Sequence, residues 1–442
     1  MSSANAVVPQ RPWWQGLVGG LQKMGRSLQL PIAVLPAAGI LNRLGQPDIH
    51  SQWGFPEKLV QVFSGAGGAL LDGSLGLPLL FAVGVAIGMA KKADGSTALA
   101  AVAGFLVYFN VLKTFATCTG AAALGSGTPA VLSAGGVCVT GPAKGPWTAI
   151  ALPVAQNPGV FGGIVIGLLS AFFWQRYHRV KLVDWLGFFN GRRLVPIIMA
   201  GVATVFAVLC LWIWPPIGHG LDRFANGLTG MGSAGAGIFG VANRALLVVG
   251  MHQFLNVFFW FQFGSYTKPD GAVVHGDINR FLAGDPTAGQ FTSGFFPIMM
   301  FALPAAALAI AHCAKPHRRK EVTGMMISVG LTSFMTGVTE PIEYSFLYIA
   351  PVLYGIHAVL TGLSMAVTWG LGVHDGFSFS AGLIDYVINW SLATKPWLIV
   401  PIGLVFAAVY YSVFRFVITR FDLKTPGRED DTEEFEEANL KP

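Results

Sequence analysis

Apolar runs long enough to approach a bilayer crossing recur along the chain, separated by short polar stretches that hold most of its charge. By length they fall near residues 28–45, 74–90, 97–115, 153–174, 195–217, 236–260, 290–313, 321–336, 346–372 and 395–418. A straight helical crossing needs about 20 apolar residues, and several of these runs are shorter. The pattern predicts an all-α polytopic membrane protein of about eight to ten transmembrane helices, some of them broken or re-entrant. Glycine and proline are dispersed through the runs, which fits close helix packing and interrupted helices rather than low complexity.

Composition excludes the soluble alternative. Hydrophobic residues make up 53% of the chain and charged residues 11%, with a mean hydropathy of +0.59, where an ordinary soluble domain is about 25% charged. A lipid bilayer is the expected surrounding. The formal charge of +6 understates the basic character of the membrane portion, because acidic residues crowd into the stretch from Asp422 to Glu437, which reads as a solvated linker. The basic residues sit in loops, without the basic and aromatic array that would suggest nucleic acid.

Their placement orients the molecule. Lys23 with Arg26, Lys91 with Lys92, the run from Arg176 to Lys181 with Arg192 and Arg193, the cluster from His317 to Lys320, and Arg420 with Lys424 all read as cytoplasmic. Both termini then lie in the cytoplasm, and the first four runs alternate as required. Between Arg193 and His317, and again between Lys320 and Arg420, the count of runs is odd where equal sidedness demands an even one. One run in each half therefore fails to cross simply. The polar-bearing runs are the natural choices: that with Arg244, His252 and Asn256, and that with Glu340. Residues 1–27 read as a cytoplasmic and interfacial lead-in without cleavable signal architecture, Trp13 and Trp14 lying at headgroup level.

The sharpest chemical signal is GVTEPIEYSF, Gly337 to Phe346, where Glu340 and Glu343 flank Pro341 inside an apolar stretch. An ionised side chain in hydrocarbon costs several kcal/mol, so it marks a protein-lined cavity or an ion or substrate path. Proline disfavours helical geometry at Glu340 and removes a backbone donor, which a bilayer tolerates only where the chain is buried in protein or lines a cavity. Arg244, His252 and Asn256 share the segment NRALLVVGMHQFLNVFFWFQFG, and His252 and Asn256, four apart, share a face if helical. Two roles are open to this set. It can bridge helices and neutralise charge, with Arg244 paired to Glu340, or it can bind sugar, which needs the same planar donors and carboxylate acceptors. His374 and Asp375 in HDGFSFSAGLIDY, with Asp385, form a second polar cluster or a loop end. Asp277, Asn279 and Asp285 in HGDINRFLAGDPTAG lie in a turn-rich loop fit either to gate a cavity or to connect elements.

Of the four cysteines none sits in a close pair, so metal and dithiol redox motifs are absent, and no cofactor is expected. Cys210 and Cys313 read as packing residues. Cys118 and Cys138 bracket a Gly, Ala, Ser and Thr-rich stretch on the external side, where they are either bridged or two separate thiols.

GVTEPIEYSF, GMHQFLN from Gly250, HGDINRFLAGDPTAG from His275 and LKTPGRED from Leu423, in that order, resemble the membrane-embedded IIC component of the glucose and N-acetylglucosamine branch of the bacterial phosphoenolpyruvate-dependent sugar phosphotransferase system. The likeness covers almost the whole chain. LQLPIAVLPAAGILNRLGQPD from Leu28, GFFPIMMFALPAAALA from Gly294 and GFSFSAGLIDY from Gly376 are closer to N-acetylglucosamine permeases than to glucose or maltose ones.

The resemblance implies a sugar permease of the cytoplasmic membrane, part of a protein-phosphocysteine sugar phosphotransferase. A scaffold half, 28–230, would form a homodimer; a transport half, 231–420, would hold the sugar and move like an elevator; an acidic cytoplasmic tail would follow at 421–442. Matching motif positions give Glu340 as acceptor of the C6 hydroxyl and general base, with His252 as its partner. Arg244, Asn256 and Thr339 are carried over as substrate contacts, and Glu343, His374 and Asp375 complete the candidate substrate-binding set. Many relatives continue past LKTPGRE into a IIB domain, whereas this sequence ends at Pro442 and its cysteines lie in apolar or external segments, so a separate phosphorylated IIB protein is the expected donor. The stretch from about Thr117 to Trp147 is longer than in the permeases it otherwise resembles, and no function is read from it. The alternatives are a glucose or maltose-type permease, a cation-coupled secondary sugar transporter that uses Glu340 as its proton or sodium site, and a sugar sensor that binds without transporting.

Overall fold

A computed structural model describes residues 13–71, 75–114, 131–132, 138–139, 158–268 and 273–429. Cys118 and the side chain of Cys138 lie outside the described residues, and with them the choice between a bridge and two separate thiols, as does the acidic tail beyond Glu429. Of the glycine-rich stretch only the paired strands Val131–Leu132 and Cys138–Val139 are described.

The described chain is mostly helical, the outcome expected where no water is at hand to satisfy backbone N–H and C=O groups and a helix satisfies its own. Among the described residues six helices are long and apolar enough to cross a membrane: 22–44, 95–113, 159–177, 191–230, 351–370 and 396–420. The pair Glu57–Leu71 and Gly76–Met89, bent by 49° at the break between them, makes a seventh if counted as one span. Glu57–Leu71 is a helix where the apolar pattern predicts none, because its glycines, serine and Glu57–Lys58 start dilute the hydropathy. Leu194–Gly230 runs 37 residues, well past the predicted end near 217, and carries Pro215 and Pro216 inside it.

Both expected interruptions are present. The run predicted at 236–260 is a helix Ser233–Leu247, a turn, a short helix His252–Val257 and one π turn, Phe258–Gln262. Arg319–Thr336 ends at Gly337, whose φ of 72° is the left-handed conformation that closes helices and favours glycine. A new helix, Glu340–Leu347, then begins. Pro341 therefore opens a helix, at a position where its missing N–H is harmless, and the interruption lies just before it, at Gly337 to Thr339.

Two hydrophobic cores organise the packing. The smaller joins helices Gly76–Met89, Gly95–Thr114, Gly159–Tyr177 and Leu194–Gly230 around Phe105, Tyr108, Trp174 and Met199. The larger runs from Leu28 and Phe81 through Phe239, Phe295 and Phe346 to Phe414, so the N-terminal helices pack with the C-terminal half. Arg43, fully buried, bridges the two in this conformation: it pairs bidentately with Asp48, at 2.8 and 2.6 Å, and donates to the carbonyl of Ile388 at 3.0 Å. Cys210 and Cys313 are buried free thiols.

Candidate functional site

The two interruptions bring oppositely charged helix ends together. Arg244 lies in the last turn of Ser233–Leu247, and Glu340 and Glu343 lie in the first turn of Glu340–Leu347, each sign matching the partial charge of its own helix terminus. The pairing differs from the expected one: Arg244 Nη1 donates to Glu343 Oε1 at 2.5 Å, with both side chains buried. His357 Nε2 lies 3.2 Å from the same oxygen, and its Nδ1 lies 3.0 Å from Tyr410 Oη. The Tyr354 hydroxyl donates to the Arg244 carbonyl at 2.6 Å, and the guanidinium sits 5.1 Å from the centre of the Phe295 ring. Glu343 thus neutralises Arg244, and Glu340 is left half-buried beside the pair.

Glu340 lines a cavity between the two broken segments. Its polar wall comes from Asn243, Arg244, His252, Gln253 and Asn256 on the first broken segment and Thr339 and Glu340 on the second. Asn243 Nδ2 donates to Asn256 Oδ1, Asn256 Nδ2 to Gln253 Oε1 at 3.3 Å, and Gln253 Nε2 lies 3.0 Å from His252 Nε2. His252 and Asn256 do share a helical face. Among the described residues His252 Nδ1 and Arg244 Nε are buried without a hydrogen-bond partner. Apolar surface comes from Ile32, Leu35 and Phe81 of the N-terminal helices and from Trp260, Phe261, Ile278 and Met299, while Ser378, Phe379 and Ser380 supply a further wall. Polar groups on one side and aromatic faces on the other suit a ligand that has hydroxyls and apolar C–H faces.

The remaining candidates lie elsewhere. Glu343 is behind the wall, fully buried. His374 Nδ1 bonds to the Pro286 carbonyl at 2.8 Å while its ring stacks on Trp369. Asp375 is fully buried, and its backbone bonds to Ser293 and Thr292. Neither lines the cavity; both fasten the 286–293 turn to the loop after Gly370. Asp277 accepts from the amides of Gly289 and Phe291, at 2.9 and 3.0 Å, and Asp285 pairs with Arg280 at 2.7 Å. Asn279 donates to the His275 carbonyl at 3.1 Å. These three bind the loop to itself. Gln253, Ser378, Ser380 and His357 escape a reading of the sequence, because an amide, a hydroxyl or a single imidazole in an apolar run is a weak signal on its own.

The family model for Phosphotransferase system, EIIC, matches residues 25–362. The chain belongs to that family. EIIC components translocate sugar for phosphorylation by IIB. The chain is 62% identical over 435 residues, 98% of each chain, to the PTS system N-acetylglucosamine-specific EIIC component of Streptomyces coelicolor. It is 43% identical over 411 residues to the N-acetylglucosamine-specific EIICB component of Bacillus subtilis (strain 168), covering 93% of this chain and 79% of that one. The crystal structure of the transporter ChbC, the IIC component from the N,N'-diacetylchitobiose-specific phosphotransferase system, superposes with a TM-score of 0.55 over 92% of this EIIC chain and 95% of its own. At 14% identity that likeness concerns the fold alone.

Proposed function

We propose that this EIIC chain carries N-acetylglucosamine across the cytoplasmic membrane and presents its C6 hydroxyl to the phosphocysteine of a IIB protein. One observation carries the reading: in a chain 62% identical to an N-acetylglucosamine-specific component, a half-buried carboxylate, Glu340, shares a cavity with the donors Arg244, His252 and Asn256. As the hydroxyl oxygen attacks phosphorus, Glu340 takes its proton, the O–P bond forms, the S–P bond breaks and the cysteine leaves as thiolate. A positioned base of this kind contributes about 10²–10⁴ in rate. Arg244, His252 and Asn256, with Thr339, hold the sugar hydroxyls.

The same reading divides the chain into a scaffold and dimerisation half, 28–230, and a transport half, 231–420, that moves like an elevator between the membrane faces, with both termini cytoplasmic. The separate core spanning Ala82 to Trp214 supports a scaffold unit. The apolar residues Ile32, Leu35 and Phe81, which close the cavity from the N-terminal side, are the surface the transport half would slide against.

Proteoliposomes that hold the purified chain test the function directly. With N-acetylglucosamine outside and phosphorylated IIB inside, sugar 6-phosphate should accumulate, and only when IIB is supplied. Free sugar driven by an ion gradient would make the chain a cation-coupled carrier, and binding without either product would make it a sensor. In competition binding, N-acetylglucosamine should displace bound sugar better than glucose or maltose; the reverse order would move the substrate assignment.

A further inference from the structure

The loop of GFSFSAGLIDY has no part in the phosphotransfer step, yet Ser378, Phe379 and Ser380 form one wall of the cavity. Asp385, 3% exposed, turns its carboxylate back onto that loop. Its Oδ1 accepts the Ser378 amide at 2.6 Å and the Phe379 amide at 3.4 Å, and its Oδ2 accepts the Ser380 amide at 3.4 Å. Asn389, fully buried, reinforces the turn by donating to the Gly376 carbonyl at 3.1 Å. One carboxyl group that accepts from three successive backbone amides, with Asn389 beside it, fixes the path of the loop.

The wall is then fastened to the segment that bears Glu340. Ser380 Oγ donates to the Gly337 carbonyl at 2.9 Å, and Gly337 is the turn that leads into Val338, Thr339 and Glu340. The two backbones meet with no room between them: a Cβ added at Gly382 would lie 2.5 Å from the Gly337 nitrogen. We propose that Asp385 and Ser380 are positioning residues for Glu340, Asp385 fixing the 378–380 wall and Ser380 strapping it to the turn that aims the carboxylate. The proposal rests on the reading of Glu340 as the base. Release of the strap lets the turn after Gly337 shift relative to bound sugar, and a misplacement of about 1 Å can lower a rate on the order of 10²-fold.

A double-mutant cycle on the full chain with phosphorylated IIB tests it. Ser380→Ala should lower single-turnover phosphotransfer at saturating N-acetylglucosamine by about tenfold or more, with sugar affinity changed by less than about threefold. Ser380→Thr, which keeps the hydroxyl, should restore most of the rate. In a Glu340→Gln background Ser380→Ala should change the rate by less than about twofold, because residues that act through one another are not additive. Equal losses in both backgrounds, or a loss of affinity as large as the loss of rate, would show that Ser380 acts on the sugar or the fold and overturn the proposal. Glu340→Gln without effect on its own would instead sink the base reading beneath it. Asp385→Asn places a donor against a backbone amide and should reproduce the loss of rate at retained affinity; should that variant not fold, the Ser380 cycle decides alone.

Discussion

Glu340 and Glu343 stand three residues apart in one helical turn, and their surroundings separate them: Glu343 is fully buried against Arg244 and His357, while Glu340 faces the cavity. Glu343→Gln strands the Arg244 charge, and breaking a buried pair costs about 3–5 kcal/mol. That variant should lose thermal stability and sugar affinity together. Glu340→Gln should melt near the unsubstituted chain, bind sugar only modestly less well, and lose about 10²–10⁴ in single-turnover phosphotransfer. All three quantities can be read from one preparation of each variant, and near-normal turnover at saturating sugar would remove Glu340 from the chemistry. His357→Leu should destabilise by about 1–3 kcal/mol, because it leaves Glu343 and Tyr410 short of a buried partner. Arg244, His252, Asn256 and both glutamates were legible in the sequence as polar residues that apolar runs do not explain. Which glutamate meets Arg244 was not legible, since it depends on the rotation of Glu340–Leu347 about its own axis, which tertiary packing sets.

Among the elements, the interruptions were readable because sidedness is a parity condition: basic clusters on one face leave an odd run unaccounted for. Their form was not. Proline is the louder signal in GVTEPIEYSF, yet Gly337 makes the break, with φ of 72°, and Pro341 sits in the first turn of the next helix. A Cβ at Gly337 would also fall 2.6 Å from Ser380 Oγ. Gly337→Ala should therefore carry the cost of about 1–3 kcal/mol usual for a non-glycine residue held in a left-handed conformation. It should in addition push Ser380 off the Gly337 carbonyl and lower sugar phosphorylation. Gly284, also at positive φ, at 83°, but with open space around its Cβ position, is the control: Gly284→Ala should show the backbone destabilisation without the fall in turnover per folded protein. Equal turnover losses from both would mean that the Gly337 turn has no special connection to the site. Glu57–Leu71 was hidden from the sequence for the opposite reason, since small and polar residues packed against neighbouring helices do not register as apolar.

On the scale of the whole molecule, the surface left by packing agrees with a bilayer. Ile197, Val205, Trp212 and Ile213 stand exposed along the helix Leu194–Gly230, where lipid chains can cover them. Between that helix and Gly159–Tyr177 the chain makes a short excursion in which Val183, Trp185 and Phe188 are 57%, 82% and 69% exposed. Arg176, Arg179, Lys181, Arg192 and Arg193 are exposed around them, with the Arg193 guanidinium 4.6 Å from the centre of the Phe188 ring. Exposed aromatics beside cations are the usual arrangement at a membrane–water boundary, and the proposed orientation, with basic loops inside, makes that boundary the cytoplasmic one. The sidedness can be measured in two chains. With all four native cysteines replaced and a single cysteine put at Lys181, an impermeant thiol reagent should label only after cells are permeabilised. With the native cysteines retained and reduced, the same reagent should reach Cys118 or Cys138 in intact cells, because that stretch lies one span away on either side from Lys91 and from Arg176. Labelling of the Lys181 position in intact cells would invert the molecule. The cavity would then be entered from the opposite face, and the assignment of both termini to the cytoplasm would fall with it.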